Sequence, residues 1–188
     1  MDQALSALGG VDILVNNAGG PPPGPTTQFA DSDWYNAIEL TLMPVIRTCR
    51  RAVPRMREQG FGRVINITSI GMKQPLAGMA LSNTARAAVA GFSKSLAMET
   101  AAHGICVHCV MPGSFLTDRN VTLGRALAEQ RGIPYEDVLK EWEAAVPIGR
   151  FGEPEELGQF VAFLASPRCS FSTGTAIAVE GGQVKSLL

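Results

Sequence analysis

Short apolar runs alternate along this chain with longer segments whose apolar residues recur every three or four positions. That alternation constrains the fold more than any other feature. Val11 to Asn16, Gly62 to Thr68, Ile105 to Met111 and Thr175 to Val179 are runs of strand length rich in Val, Ile and Ala. A run with no regular polar interruption suits a strand covered on both faces, the condition of a parallel sheet flanked by helices. Between the first two runs, Trp34, Ile38, Leu42, Val45 and Cys49 fall at helical spacing. They predict a helix that Asp31 or Ser32 can cap and that ends near Met56, with Pro44 bending or breaking it. A second long helix is expected over about Ala80 to Ala102. Leu81, Ala85, Ala88, Phe92 and Leu96 form its stripe, and Gly104 closes it. Pro154, Glu155 and Glu156 open a third, reaching about Leu164, with proline in the first turn and acids at its positive end. Residues 1–8 read as the end of a further helix, and Gly19 to Pro25 as a loop. The expectation is an α/β, doubly wound parallel sheet with strands near 11–16, 63–68, 105–110 and 175–179.

Composition narrows the function. The chain has 188 residues, 46% of them hydrophobic, and a formal net charge of −1, which suits one soluble globular domain. It carries no basic footprint, so no nucleic acid partner is expected. No apolar run reaches the roughly 18 residues that a membrane span needs, and no membrane partner is expected. The opening Met-Asp-Gln-Ala has neither a basic nor an apolar stretch, so no secretory leader is expected. Cys49, Cys106, Cys109 and Cys169 are few and scattered, which points to reduced thiols and a cytoplasmic location. Cys106 and Cys109 bracket His108, but side chains three apart on a strand point to opposite faces, so no metal site is expected there.

Polar residues gather where the strands end. Asn16-Asn17-Ala18-Gly19 follows the first strand, Ser69 the second, and Pro112-Gly113 with Thr117 the third. Each admits two readings. The asparagines are turn formers or cofactor-side groups, Ser69 a turn serine or a cleft residue, Pro112-Gly113 a strand stop or part of a site, and Thr117 a helix cap or a site residue. Ser82 and Arg86 lie four apart and share a helix face, as a solvated patch or as a polar site. Thr117 to Ala145 is polar and charged, with Leu123, Leu127, Val138 and Trp142 as its few large apolar residues.

In their order and spacing these motifs resemble the short-chain dehydrogenase/reductase family, and in particular 3-oxoacyl-acyl-carrier-protein reductases. The segment from Gly149 through Pro154 to Gly182 resembles the family's C-terminal end closely. The resemblance covers nearly the whole chain. It implies a Rossmann-like fold and NAD(P)-dependent reduction of a carbonyl or oxidation of an alcohol. It implies Ser69 as a catalytic serine and Asn16, Ala18, Gly19, Pro112, Gly113 and Thr117 on the NAD or NADP side. It further implies residues 114–146 as a substrate lid, and a homodimer or homotetramer through the helices at about 34–56 and 80–102. Three departures stand out. The family's G-x-x-x-G-x-G turn does not occur in these residues, so the chain is expected to be the C-terminal part of a longer domain. The family's Y-x-x-x-K falls on Ser82 and Arg86, placing both at the catalytic position and Arg86 also at the cofactor. The asparagine of the family's proton relay falls on Thr41. Two functions therefore remain open: an oxidoreductase of impaired activity, or a silent member serving as a scaffold or oligomer subunit.

Overall fold

In the computed structural model, which describes residues 2–187, the chain forms one sheet of four parallel strands. They are β1 (Ile13–Asn16), β2 (Gly62–Ile67), β3 (Ile105–Pro112) and β4 (Thr175–Val179), adjacent in that order. Val15 lies beside Ile65, Ile65 beside His108, and Val110 beside Ile177. Parallel neighbours need crossovers, and helices supply them. After α1 (Asp2–Leu8), α2 (Asp31–Thr41) and α3 (Met43–Gln59) join β1 to β2, and α4 (Ala80–Thr100) joins β2 to β3. Three helices separate β3 from β4: α5 (Asp118–Arg131), α6 (Tyr135–Ala144) and α7 (Pro154–Ala165).

The strands alternate between two apolar layers. Leu14, Val64, Val107 and Cys109 pack with Val45, Ala52, Met56, Val89 and Leu96 of α3 and α4. Ile65 and Val110 point the other way, to Leu164, Phe160 and Val161 of α7 and to Cys169. Since α7 lies over β2 and β3, the second face of β1 stays open, and Ile13 and Val15 remain 47% and 45% exposed.

The break expected at Pro44 is present: two helices meet at Leu42, and Pro44 stands in the first turn of α3, where a missing N–H costs nothing. Other local expectations change. Neither Asp31 nor Ser32 caps α2; the Asp33 carboxylate accepts the Ala30 N–H at 2.9 Å. The buried stripe of α4 runs through Leu81, Ala85, Val89, Ser93, Leu96 and Ala97, leaving Ala88 and Phe92 half-buried. The cause is Ser93, which the apolar pattern passes over and which is buried because it hydrogen-bonds across to β2. Gly104 does end this segment: its φ is 70°, and a side chain there would run into the Gly60 carbonyl. The polar stretch after Thr117 folds into two helices.

Cys106 and Cys109 point to opposite faces of β3. Cys109 joins the α3/α4 layer, and the Cys106 thiol approaches the Ser170 carbonyl at 3.8 Å. His108 is fully buried, with Nδ1 2.9 Å from Thr175 Oγ1. Burial, and next the nearby Arg63 charge, hold its imidazole below the ordinary 6.5. The unfolded chain therefore takes up a proton near 6.5 that the fold resists, so stability falls as pH drops below that value. We expect the thermal midpoint to decline between about pH 7 and about 5.5, and His108→Gln to flatten part of that decline. Equal slopes for both proteins would contradict this.

Candidate functional site

The carboxyl ends of β1 and β2 are joined by a buried chain of hydrogen bonds. Thr48 Oγ1 of α3 donates to Asn16 Oδ1 at 2.7 Å, and Asn16 Nδ2 donates to Asn66 Oδ1 at 2.8 Å. Asn66 Nδ2 then donates to Ser93 Oγ at 2.7 Å, and Ser93 Oγ–H to the Val89 carbonyl at 2.7 Å. Asn16, Asn66 and Ser93 are all buried, so the chain replaces the water these amides would otherwise need. It locks two strand ends against two helices. Cys49 sits beside it, its thiol pushed up to about 12 by burial.

Past these fixed ends, a cleft of about 690 Å³ opens over the carboxyl edge of β1, β2 and β3. Such an edge is where open α/β sheets place ligands. Asn17 enters from β1, Thr68 and Ser69 from β2, and Pro112, Gly113 and Thr117 from β3, while α4 contributes Ser82 and Arg86. Gly20, Pro21, Leu76 and Met79 form one apolar wall; Phe115, Leu123, Leu157 and Val161 form another.

Seven of the polar and turn residues singled out from sequence thus border one space: Asn17, Ser69, Ser82, Arg86, Pro112, Gly113 and Thr117. Asn16, Ala18 and Gly19 do not border it. Asn16 turns inward to the buried chain, and its neighbour Asn17 faces the cleft instead. Ser69 answers to both of its readings, since its Oγ also accepts the Gly71 N–H at 3.1 Å and caps the 3-10 turn Ile70–Met72. Thr117 likewise caps α5, accepting the Asn120 N–H at 3.4 Å.

The Arg86 guanidinium is anchored. Nη1 donates to the Ile67 and Thr68 carbonyls at 3.2 and 2.9 Å, and Nε to Ser82 Oγ at 3.3 Å. Ser82 Oγ therefore accepts from a cation and keeps its own O–H to donate. A side chain on Gly113 would strike Glu180 and Gln183, so the turn after β3 closes tightly on the C-terminal segment. Thr41 Oγ1 is buried with no hydrogen-bond partner among the described residues. Among those residues no helix follows directly on a glycine-rich turn at a strand end: Gly9-Gly10 precedes β1, and Gly19-Gly20 leads into a proline-rich loop. No group of three His, Cys, Asp or Glu among them is placed to hold a metal.

Known proteins resemble this chain over nearly its whole length. A family model described as enoyl-(acyl carrier protein) reductase matches residues 1–183. A putative ketoacyl reductase of Streptomyces coelicolor is 36% identical over 180 residues, 95% of this chain and 69% of that protein. A 3-oxoacyl-[acyl-carrier-protein] reductase of Vibrio cholerae is 37% identical over 175 residues, 93% of this chain and 67% of the other. Among solved structures, L-sorbose reductase of Gluconobacter frateurii, crystallised with NADPH and L-sorbose, superposes with a TM-score of 0.94 at 38% identity. That match covers 99% of this chain and 71% of the reductase.

The anchoring of Arg86 is directly testable. Arg86→Ala removes hydrogen bonds to two strand-end carbonyls and should cost roughly 1–3 kcal/mol of stability in urea unfolding, with Ser82→Ala costing less. Unfolding of Arg86→Ala at the wild-type denaturant concentration would contradict the assignment.

Proposed function

The chain belongs to the short-chain dehydrogenase/reductase family, and on that premise we propose an NAD(P)-dependent oxidoreductase site that binds and orients a carbonyl or alcohol but turns it over only at background rate. One observation carries the reading: Ser69, Ser82, Arg86, the Pro112-Gly113 turn and Thr117 border a single cleft at the carboxyl edge of a parallel sheet.

The residues fit the nicotinamide end of such a cofactor. Asn17, Pro112-Gly113 and Thr117 would hold the nicotinamide, with Ala18 and Gly19 in the adjoining loop, and Arg86 would hold the ribose. Asn16 acts from behind, through the buried chain. When bound, the dinucleotide supplies or accepts a hydride at the substrate carbon. The other half of the cofactor finds no counterpart here, since no described helix presents its N-terminus to a diphosphate after a glycine-rich turn.

Ser69 and Ser82 would donate hydrogen bonds to the substrate oxygen. The resemblance calls for a phenol at Ser82, whose ordinary value near 10 a neighbouring cation brings within reach of neutral pH. An alcohol is a far weaker acid, and losing a positioned proton donor costs about 10²- to 10⁴-fold. Arg86 keeps its charge, but with Nη1 on the Ile67 and Thr68 carbonyls it supports the end of β2 as much as any ligand. That same observation favours the second reading, a silent family member acting as an oligomer subunit. Residues 114–146, as α5 and α6, would form the lid of one partial domain.

Three outcomes are expected. Calorimetric titration should find NADPH and NADH bound weakly or not at all, and a micromolar affinity would overturn this. Ketone-dependent NADPH consumption should stay at background both in the 188-residue chain and in its Ser82→Tyr, Arg86→Lys double variant, because no helix among the described residues opens on a glycine-rich turn at a strand end. Ketone-dependent consumption by that variant would contradict the account. Finally, the exposed Tyr35, Leu40 and Met98 on α2 and α4 favour a homodimer or homotetramer through α2, α3 and α4. Sedimentation should show it, and a stable monomer at tens of micromolar would refute it.

A further inference from the structure

Two cysteines meet near the amino ends of the strands, away from the cleft. Cys106 and His108 point to the same face of β3, where Arg63 and Ile65 lie beside them on β2 and Ile65 packs with Cys169. Cys169 Sγ lies 4.0 Å from His108 Nε2. Cys106 Sγ lies 3.8 Å from the carbonyl of Ser170, the residue after Cys169. Each thiol thus reaches a near neighbour of the other. The connection from α7 to β4 is pinned alongside them. Between Cys106 and His108, the Val107 N–H donates to Thr173 Oγ1 at 2.9 Å, and the Val107 carbonyl accepts the Gly174 N–H at 2.8 Å. Cys49 and Cys109 belong to the other layer, with α3 and α4.

The two thiols differ in access. Cys169 lines a cavity of about 420 Å³ whose rim carries the exposed Arg168, Ser170 and Phe171. Cys106 is buried on the strand, and burial raises its thiol more than the nearby Arg63 charge lowers it. A thiol must ionise to attack, so Cys169 is the one placed to react first. His108 is a base within reach: burial favours its neutral ring, and with the proton on Nδ1, beside Thr175 Oγ1, the Nε2 lone pair faces the Cys169 thiol.

We propose that Cys169 is a site of reversible oxidation by small hydroperoxides, with His108 as its base and Cys106 as the thiol that resolves it into a disulfide. His108 Nε2 takes the Cys169 proton, and the thiolate attacks one peroxide oxygen. An S–O bond forms as the O–O bond breaks, and the departing hydroxide takes the proton from His108 and leaves as water. Cys106 sulfur then displaces the hydroxyl of the sulfenic acid. The S–S bond forms, the S–O bond breaks, and the Cys106 proton leaves with the hydroxyl as a second water. Two thiols are oxidised and one peroxide is reduced; a thiol reductant reverses the change. The bond fastens the α7–β4 connection to β3 across a long loop of chain, which restricts the unfolded state.

The test treats the 188-residue chain with hydrogen peroxide and maps the product by tandem mass spectrometry. Two of the four thiols should be lost, as a Cys106–Cys169 bond that dithiothreitol opens. The oxidised chain should melt roughly 5–15 °C higher than the reduced one. Cys109→Ser should leave the product unchanged, whereas Cys106→Ser should stop at a Cys169 sulfenic acid that dimedone traps. His108→Gln keeps a hydrogen-bonding side chain but no base, and should slow the loss of thiols at least tenfold. No disulfide, a disulfide through Cys49 or Cys109, an oxidised chain that melts no higher, or an unchanged rate in His108→Gln would each overturn the proposal.

Discussion

Asn66 has no exposed surface, and it is gripped from both sides: it accepts from Asn16 and donates to Ser93. The rest of the site depends on that amide. A buried asparagine is tolerable only when its hydrogen bonds are made, and satisfying it requires β1, β2 and α4 to meet in one arrangement. Thr48 extends the same constraint to α3. Where the chain of hydrogen bonds stops, the strands end and the cleft begins. The backbone after Asn16 therefore delivers Asn17 to the cleft, and the backbone after Ile67 delivers Ser69.

Arg86 makes a second tie at the same edge, holding the carbonyls of Ile67 and Thr68 from α4. One guanidinium thus stabilises the strand end and borders the cleft. Beside it on α4, the Ser82 hydroxyl accepts from this same guanidinium. Such a pair orients an oxygen better than it protonates one, because neither member releases a proton near neutral pH.

The layers were legible in the sequence because burial on both faces leaves an unmistakable pattern. Val64-Ile65 and Val107 to Val110 admit few alternatives to covered strands, and Pro154 and Gly104 mark helix ends by backbone geometry alone. The residues Ser69, Ser82, Arg86, Pro112, Gly113 and Thr117 were also legible, since each follows a strand or shares a helix face. What escaped depends on packing between distant segments. Nothing local distinguishes Asn16, which turns inward, from Asn17, which turns to the cleft. Ser93 reads as a surface residue until Asn66 is found opposite it. The one available signal was Asn66 itself, a polar residue in an otherwise apolar strand. Leu76 and Met79 come to the cleft from the loop before α4 and Leu157 from α7, and no spacing rule links the two segments.

The central claim is that the carboxyl edge of β1 to β3 is a preformed half-site for the nicotinamide end of the cofactor, independent of any diphosphate-binding turn. Amide chemical shifts of the labelled chain, titrated with reduced nicotinamide mononucleotide, test it most directly. The account predicts that perturbations cluster at Asn17, Ser69, Arg86, Gly113 and Thr117 and saturate at weak affinity. Shifts scattered over the outer face of α7, or none at the cleft at saturating concentration, would contradict it.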